Sequence, residues 1–134
     1  MNRRPAIAAR KPAGSVRSRA DWRGLVELAK ACADDADAGS EDREAQLRLA
    51  HLGNRVNAAS TEVFAREAGA ATTDAAKAFV LAAKAFARRE TPGDLRRRLA
   101  ASVAGLSTFL DQQLTGLADR DFRQAHRGRP EVWG

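Results

Sequence analysis

The chain has 134 residues and a formal net charge of +6, with 23 basic and 17 acidic side chains. Alanine dominates, aromatic side chains make up 5% of the chain, and there is one cysteine. This composition favours helices over strands and excludes an intramolecular disulfide or a cysteine-based metal site. No apolar run approaches the roughly 20 residues that a transmembrane helix needs. We therefore expect a cytoplasmic protein with no membrane partner, no cofactor and no metal.

The basic charge is concentrated at the two ends of the sequence. Residues 1–19 contain six basic side chains and no acidic one, residues 20–87 have a net charge of −3, and residues 88–134 have a net charge of +3. Pro5 and Pro12 interrupt any regular pattern in the first of these segments. We predict that residues 1–19 form a flexible basic arm.

Two helices are predicted between this arm and Gly69. The first starts near Asp21, buries residues at spacings of three and four, and stops at Gly39. Ser40 is a good N-cap for the second helix, whose apolar seam continues to Gly69. The buried residues expected in these two helices are Trp22, Leu25, Ala29, Cys32, Ala36, Leu49, Leu52, Val56, Ala59 and Val63.

Acidic side chains crowd the junction between these two helices. Their order does not fit a calcium-binding loop, which alternates oxygen ligands around a central glycine. We interpret the cluster as a solvated helix junction, which could also serve as a docking surface for a basic partner such as the arm of a neighbouring copy. The six acids are Asp34, Asp35, Asp37, Glu41, Asp42 and Glu44.

Two further helices are predicted after Gly69. Thr72 or Thr73 caps the third helix. The sequence Thr91-Pro92-Gly93-Asp94 is a strong start for the fourth, because it combines a capping threonine, a proline at the first helical position and an acid in the first turn. The apolar residues on these two helices are Ala76, Phe79, Val80, Ala83, Phe86, Ala87, Leu95, Leu99, Val103, Leu106, Leu110 and Leu117.

The predicted fold class is therefore all-α, a four-helix bundle with a flexible basic N-terminal arm. Residues 1–19 form the disordered arm in this prediction, and residues 20–118 form the helical bundle. Residues 119–134 become polar and basic, and they are predicted to form a C-terminal tail in which Gly128 and Pro130 end any helix.

The segment Thr91–Leu110, TPGDLRRRLAASVAGLSTFL, resembles the helix-turn-helix segments of bacterial DNA-binding regulators. Leu95 and Leu99 match the first helix of that pattern, and Ala100–Ser102 occupies the turn. The resemblance implies that the last residue of this turn caps a recognition helix lying in the major groove of DNA. The residues also allow one continuous helix from Asp94 to Leu117, because two consecutive alanines at the turn favour helix.

Arginine accounts for 19 of the 23 basic residues, and its planar guanidinium pairs with phosphate in two-point geometry. We predict a non-enzymatic protein that binds the phosphates of DNA or RNA. The residues predicted to bind nucleic acid are Arg3, Arg4, Arg10, Lys11, Arg17, Arg19, Arg88, Arg89, Arg96, Arg97 and Arg98.

The alternative is a helical assembly subunit or adaptor in a bacterial, phage or ribonucleoprotein complex, which binds protein subunits or other copies of itself. The abundance of alanine and arginine favours a bacterial or phage source. No spacing in the sequence combines a nucleophile, a base and an oxyanion donor, so no catalytic residue is predicted.

Overall fold

The computed structural model describes residues 15–127, with side chains placed for residues 15–117. Every helix or strand assigned within this range is an α-helix, so the predicted all-α class is confirmed. Four of the helices are long, and the third has only six residues. The helices of the described range are α1 (Arg19–Ala38), α2 (Arg43–Asn57), α3 (Glu62–Glu67), α4 (Ala70–Ala87) and α5 (Gly93–Arg127).

Helix α1 begins earlier than predicted because Ser18 caps it. The Asp21 backbone N–H donates to Ser18 Oγ at 3.1 Å, and the Ser18 N–H donates to the Asp21 carboxylate at 3.2 Å. These two bonds form a reciprocal capping box that satisfies N–H groups at the start of the helix. Gly39 ends α1 in the left-handed conformation, with φ +70°, as the sequence predicts.

Two predicted N-caps are wrong. Asp42 caps α2 in place of Ser40, because the Asp42 carboxylate accepts a hydrogen bond from the Ala45 N–H at 2.8 Å. Thr72 and Thr73 lie inside α4 and are buried, and their hydroxyl groups donate to acceptors within the fold. These hydroxyls therefore satisfy interior hydrogen bonds rather than the start of a helix.

The long second helix expected to continue to Gly69 is interrupted after Asn57. Val16 pairs with the chain just beyond this point: its N–H donates to Ala58 O at 3.2 Å, and its carbonyl accepts from the Ser60 N–H at 2.9 Å. A continuous helix would need the same backbone groups for its own hydrogen bonds. The pairing with Val16 therefore replaces helix at this position, and α3 begins after the break.

Residues 15–19 belong to the helical bundle rather than to the predicted basic arm. Val16 is fully buried in the core, and Arg19 is the first residue of α1. The predicted boundary at residue 19 is thus too late, because a single apolar residue followed by a capping serine ties this segment to the fold. Residues 1–14 lie outside the described residues.

Trp22 lies in the core, as predicted, and joins three parts of the chain. Its ring contacts Phe64 edge-on with centroids 4.9 Å apart, and the centroid of Phe79 is 6.1 Å away. Its indole N–H donates to Ser60 O at 2.9 Å, so the polar atom of the buried ring is satisfied. The α2–α3 break is therefore held from two sides, by Val16 and by Trp22.

Helix α5 is continuous from Gly93 to Arg127 and packs along α1 and α4. The turn that the helix-turn-helix resemblance implies at Ala100–Ser102 is absent, and these residues lie within one helix, as in the alternative prediction. The helix also continues through the first half of the predicted C-terminal tail. Residues 128–134 lie outside the described range.

The buried stripe of α5 differs partly from the predicted one. Leu95 was expected in the core but is 41% exposed, whereas Leu114 was not predicted and is buried. Leu99 and Leu106 are half-buried. Within residues 93–117 of this helix, the buried residues are Ala100, Val103, Ser107, Leu110, Leu114 and Leu117.

Candidate nucleic-acid interface

The arginines predicted to bind phosphate do not form one surface. Arg17 and Arg19 lie at the start of α1, whereas Arg97 lies beside the residues of its last turn, Asp34 and Asp37. A helix of 20 residues is about 30 Å long. The two groups are therefore separated by the length of α1. Arg3, Arg4, Arg10 and Lys11 lie outside the described residues.

Arg17 and Arg19 are both held by acidic side chains of α3. The guanidinium of Arg17 lies 3.6 Å from the carboxylate of Glu62, and that of Arg19 lies 3.6 Å from the carboxylate of Glu67. Both pairs are partly exposed, so each contributes little to stability. A phosphate at this position would have to compete with a carboxylate that is already in place.

The remaining five arginines surround the connection between α4 and α5, and we call residues 88–98 the arginine turn. Its backbone is fixed from within, because the Thr91 hydroxyl donates to Ala85 O at 2.7 Å. The guanidinium of Arg96 donates to Phe86 O at 2.7 Å and to Arg88 O at 2.5 Å. The last carbonyls of a helix have no partner within the helix, and these side chains supply one.

Arg96 is thus a structural residue of the turn. In addition to its two hydrogen bonds, its guanidinium carbon lies 5.7 Å from the ring centroid of Phe86, within the range of a cation–π contact. Its guanidinium therefore donates two hydrogen bonds to backbone carbonyls and lies over an aromatic face. The contact of Arg96 with phosphate stays a prediction, and its internal bonds give it a structural role as well.

The other arginines of the turn are exposed to solvent. Arg97 pairs with Asp94 at 3.7 Å, but both side chains are more than three quarters exposed, which makes this pair weak. Within residues 15–117, Arg88, Arg89 and Arg98 form no ion pair. These three guanidinium groups are available to an external anion.

An acidic surface lies next to the arginine turn. The end of α1 and the start of α2 form one side of an open groove of about 1050 Å³, and the arginine turn forms the other. Asp35 is neutralised by Arg48, whose guanidinium donates to both carboxylate oxygens at 2.8 and 2.9 Å. This hydrogen bonding raises the pKa of Arg48 above its ordinary value. Asp42 caps α2 and Glu44 also pairs with Arg48, and we call the other three acids of the junction, Asp34, Asp37 and Glu41, the acidic wall, of which Asp37 and Glu41 line this groove.

Sequence reasoning did not predict that the acidic wall and the arginine turn would be neighbours. The order of the predicted helices contained this information, because successive helices of a bundle alternate in direction. The end of the first predicted helix and the start of the fourth must then lie at the same end of the molecule. The mixed charge at this end restricts where a polyanion can bind.

The single cysteine is buried, and its surroundings favour the thiol over the thiolate. Burial, together with the neighbouring negative charge of Asp35, raises the pKa of Cys32 from 9.0 to about 11, and Arg48 only partly opposes this shift. The thiol is therefore protonated at neutral pH, and the thiolate is the reactive form. Within the described residues, no three histidine, cysteine or acidic side chains are arranged to hold a metal ion.

None of the described helices has both the length and the apolar character needed to cross a bilayer. Comparisons with protein families, with curated proteins and with solved structures find no match for this chain.

Proposed function

We propose that this protein binds the phosphate backbone of nucleic acid through the exposed arginines of the arginine turn, without catalysing a reaction. The observation that supports this function best is that Arg88, Arg89 and Arg98 have no ion-pair partner within residues 15–117, while Arg96 and Thr91 hold the turn that carries them. Because the turn is already ordered, less conformational entropy is lost when a phosphate binds.

In this proposal the four long helices act as a four-helix bundle that presents the turn, and recognition does not depend on base sequence. A continuous α5 offers no separate recognition helix at residues 100–110, so the contacts are to phosphate rather than to base edges. The basic side chains of residues 1–14 add positive charge to the chain. Phosphate contacts of this type are made equally with DNA or RNA.

The test is a salt titration of binding to labelled single- and double-stranded DNA and RNA. Affinity should fall steeply with salt, and the triple variant Arg88→Gln, Arg89→Gln, Arg98→Gln should bind more weakly. Its log–log salt slope on duplex DNA should decrease by about 0.9 for each phosphate that the variant no longer neutralises.

The matched control removes three exposed positive charges elsewhere: Arg23→Gln, Arg66→Gln and Lys77→Gln. This control should retain most of the affinity and the salt slope. If the two triple variants weaken binding equally, the arginine turn is not the site. If wild-type protein shows no binding at about 50 mM salt, where phosphate contacts are strong, the proposed function is wrong.

A second function, as an assembly subunit or adaptor, is favoured by the acidic wall. Asp34, Asp37 and Glu41 form no ion pair within residues 15–117, although Arg97 lines the same cavities as the two aspartates. A surface that carries unpaired groups of both signs suits a protein partner with a complementary surface better than it suits a uniform polyanion.

A further inference from the structure

One end of the molecule carries two different surfaces side by side. The groove between α2 and the arginine turn has an apolar lining that includes Leu49, Ala45 and Ala87. Asp37 and Glu41 of the acidic wall lie along one edge of this groove. A segment that fills such a groove should combine an apolar side chain with flanking positive charges.

The arginine turn of the same protein has this combination. Leu95 lies in the first turn of α5 with 41% of its surface exposed, which places an apolar side chain among arginines at the tip of the bundle. Arg89 and Arg98 are exposed and unpaired within residues 15–117. The turn therefore complements the groove in both polarity and charge.

The turn cannot fill the groove of its own molecule, because it already forms the opposite side. Arg97 lines a small cavity together with Asp34 and Asp37 but pairs with Asp94 instead. The opposite charges of this end thus face the same space without neutralising each other. A second copy of the chain that binds at this end can supply opposite charges to these unneutralised side chains.

We propose that two copies of this protein associate through this end about a two-fold axis, each inserting its arginine turn towards the acidic wall and groove of the other. A two-fold interface uses the same surface on both molecules, so a turn and a groove that adjoin on one chain meet their complements on the other at the same time. Each contact between a turn and a groove therefore occurs twice in the dimer, so the interface contains twice as many charge pairs as one such contact.

This dimer goes beyond the nucleic-acid proposal and involves the same arginines. Nucleic acid and the second copy then compete for the turn. Residues of the acidic wall attract the second copy and repel nucleic acid, so their substitution affects the two proposals in opposite directions and allows them to be tested separately.

The experiment uses two charge-reversed forms of the full chain. The acid-reversed form carries Asp37→Lys and Glu41→Lys, and the base-reversed form carries Arg89→Glu and Arg98→Glu. None of these four side chains caps a helix or forms an ion pair within the described residues. The control form carries Glu27→Lys and Asp74→Lys, which reverse two exposed acids away from the groove.

Light scattering coupled to size-exclusion chromatography measures the mass of each form. At low salt, wild type and the control form should have twice the 14.4 kDa mass of the chain. Wild type should shift towards the single-chain mass as salt approaches roughly 1 M, where charges are screened within about 3 Å. Each reversed form alone should remain a single chain, because both of its surfaces then have the same sign.

An equimolar mixture of the two reversed forms distinguishes this interface from a general effect of charge. Each new basic wall then meets a new acidic turn, so the mixture should recover twice the single-chain mass. Recovery would also show that both variants are folded. Wild type that remains a single chain at low salt and high concentration overturns the proposal, as does a mixture that fails to associate. The acid-reversed form keeps every arginine, so it should bind nucleic acid at least as tightly as wild type while it remains a single chain, which separates failure of the dimer from failure of the function.

Discussion

Arg96 illustrates how one arginine in a run of three has a role that its neighbours lack. Successive residues of a helix are about 100° apart, so only one of three consecutive side chains can face the end of α4. The sequence predicts that the three cannot all point the same way, but it does not identify which one is inward. That choice depends on how α5 packs on α4, which places Arg96 over Phe86 and leaves Arg98 exposed.

We expect Arg96→Met and Arg98→Met to affect different properties. Methionine keeps an apolar stem but removes the bonds from Arg96 to two carbonyls, which should lower the free energy of unfolding by about 1–2 kcal/mol. Thermal denaturation should show a decrease in Tm of about 3–8 °C for Arg96→Met. Arg98→Met should change stability by less than about 0.5 kcal/mol.

Nucleic-acid binding should show the opposite order when it is measured well below either Tm. Arg98→Met removes an exposed phosphate ligand and should weaken binding, whereas Arg96→Met should retain the affinity of wild type. If Arg96→Met melts normally and loses binding, then Arg96 contacts phosphate and its carbonyl bonds are incidental.

At the scale of elements, the helix ends marked by glycine and proline were predicted correctly, whereas two N-caps and a break caused by a distant residue were missed. The end of α1 at Gly39 and the start of α5 near Gly93 follow from glycine and proline signals within a few residues. The break after Asn57 was missed, because the alanines that follow favour helix and the apolar seam continues in register. The cause of the break is Val16, about 40 residues away, whose pairing with the backbone overrides local propensity.

Removal of residues 1–19 tests the structural role of Val16. From the sequence alone, this segment was expected to be an arm whose deletion leaves Tm almost unchanged. In the structure the deletion removes a fully buried valine, its two backbone hydrogen bonds and the Ser18 cap of α1. We therefore expect a clear decrease in Tm, measured by circular dichroism.

The point variant Val16→Ala isolates the side chain and should cost about 2 kcal/mol, because it leaves a cavity in the core. Its control is Arg17→Ala, which changes the adjacent exposed residue and should cost less than about 0.5 kcal/mol. A deletion and a Val16→Ala variant that both melt with wild type would instead support an unattached arm.

At the scale of the whole molecule, the direction of the helices decides which charges meet. The sequence identified a basic arm and a basic turn but not how far apart they lie: Arg19 is at the start of α1 and Arg97 is near its end, and a helix of 20 residues is about 30 Å long. The same topology brings the acidic wall beside the arginine turn. Net charge along the chain predicted the sign of each segment, but only the fold determines their neighbours.

The acidic wall should therefore limit the affinity of the arginine turn for nucleic acid. Asp37→Asn with Glu41→Gln removes two negative charges that face the same groove as Arg89 and Arg97. We expect binding to strengthen about two- to fivefold at low salt, because repulsion between carboxylates and phosphates acts over roughly the Debye length of 10 Å at 0.1 M. The gain should shrink as salt is raised.

The control for this prediction is Glu27→Gln with Asp74→Asn, which changes the net charge by the same amount away from the groove. Fluorescence anisotropy with labelled DNA, at protein concentrations too low for self-association, compares the two double variants directly. If both strengthen binding equally, only the net charge of the protein matters and the position of the acidic wall does not. A selective gain at Asp37 and Glu41 would place the bound phosphates within screening distance of the groove, because charges further than a Debye length contribute little.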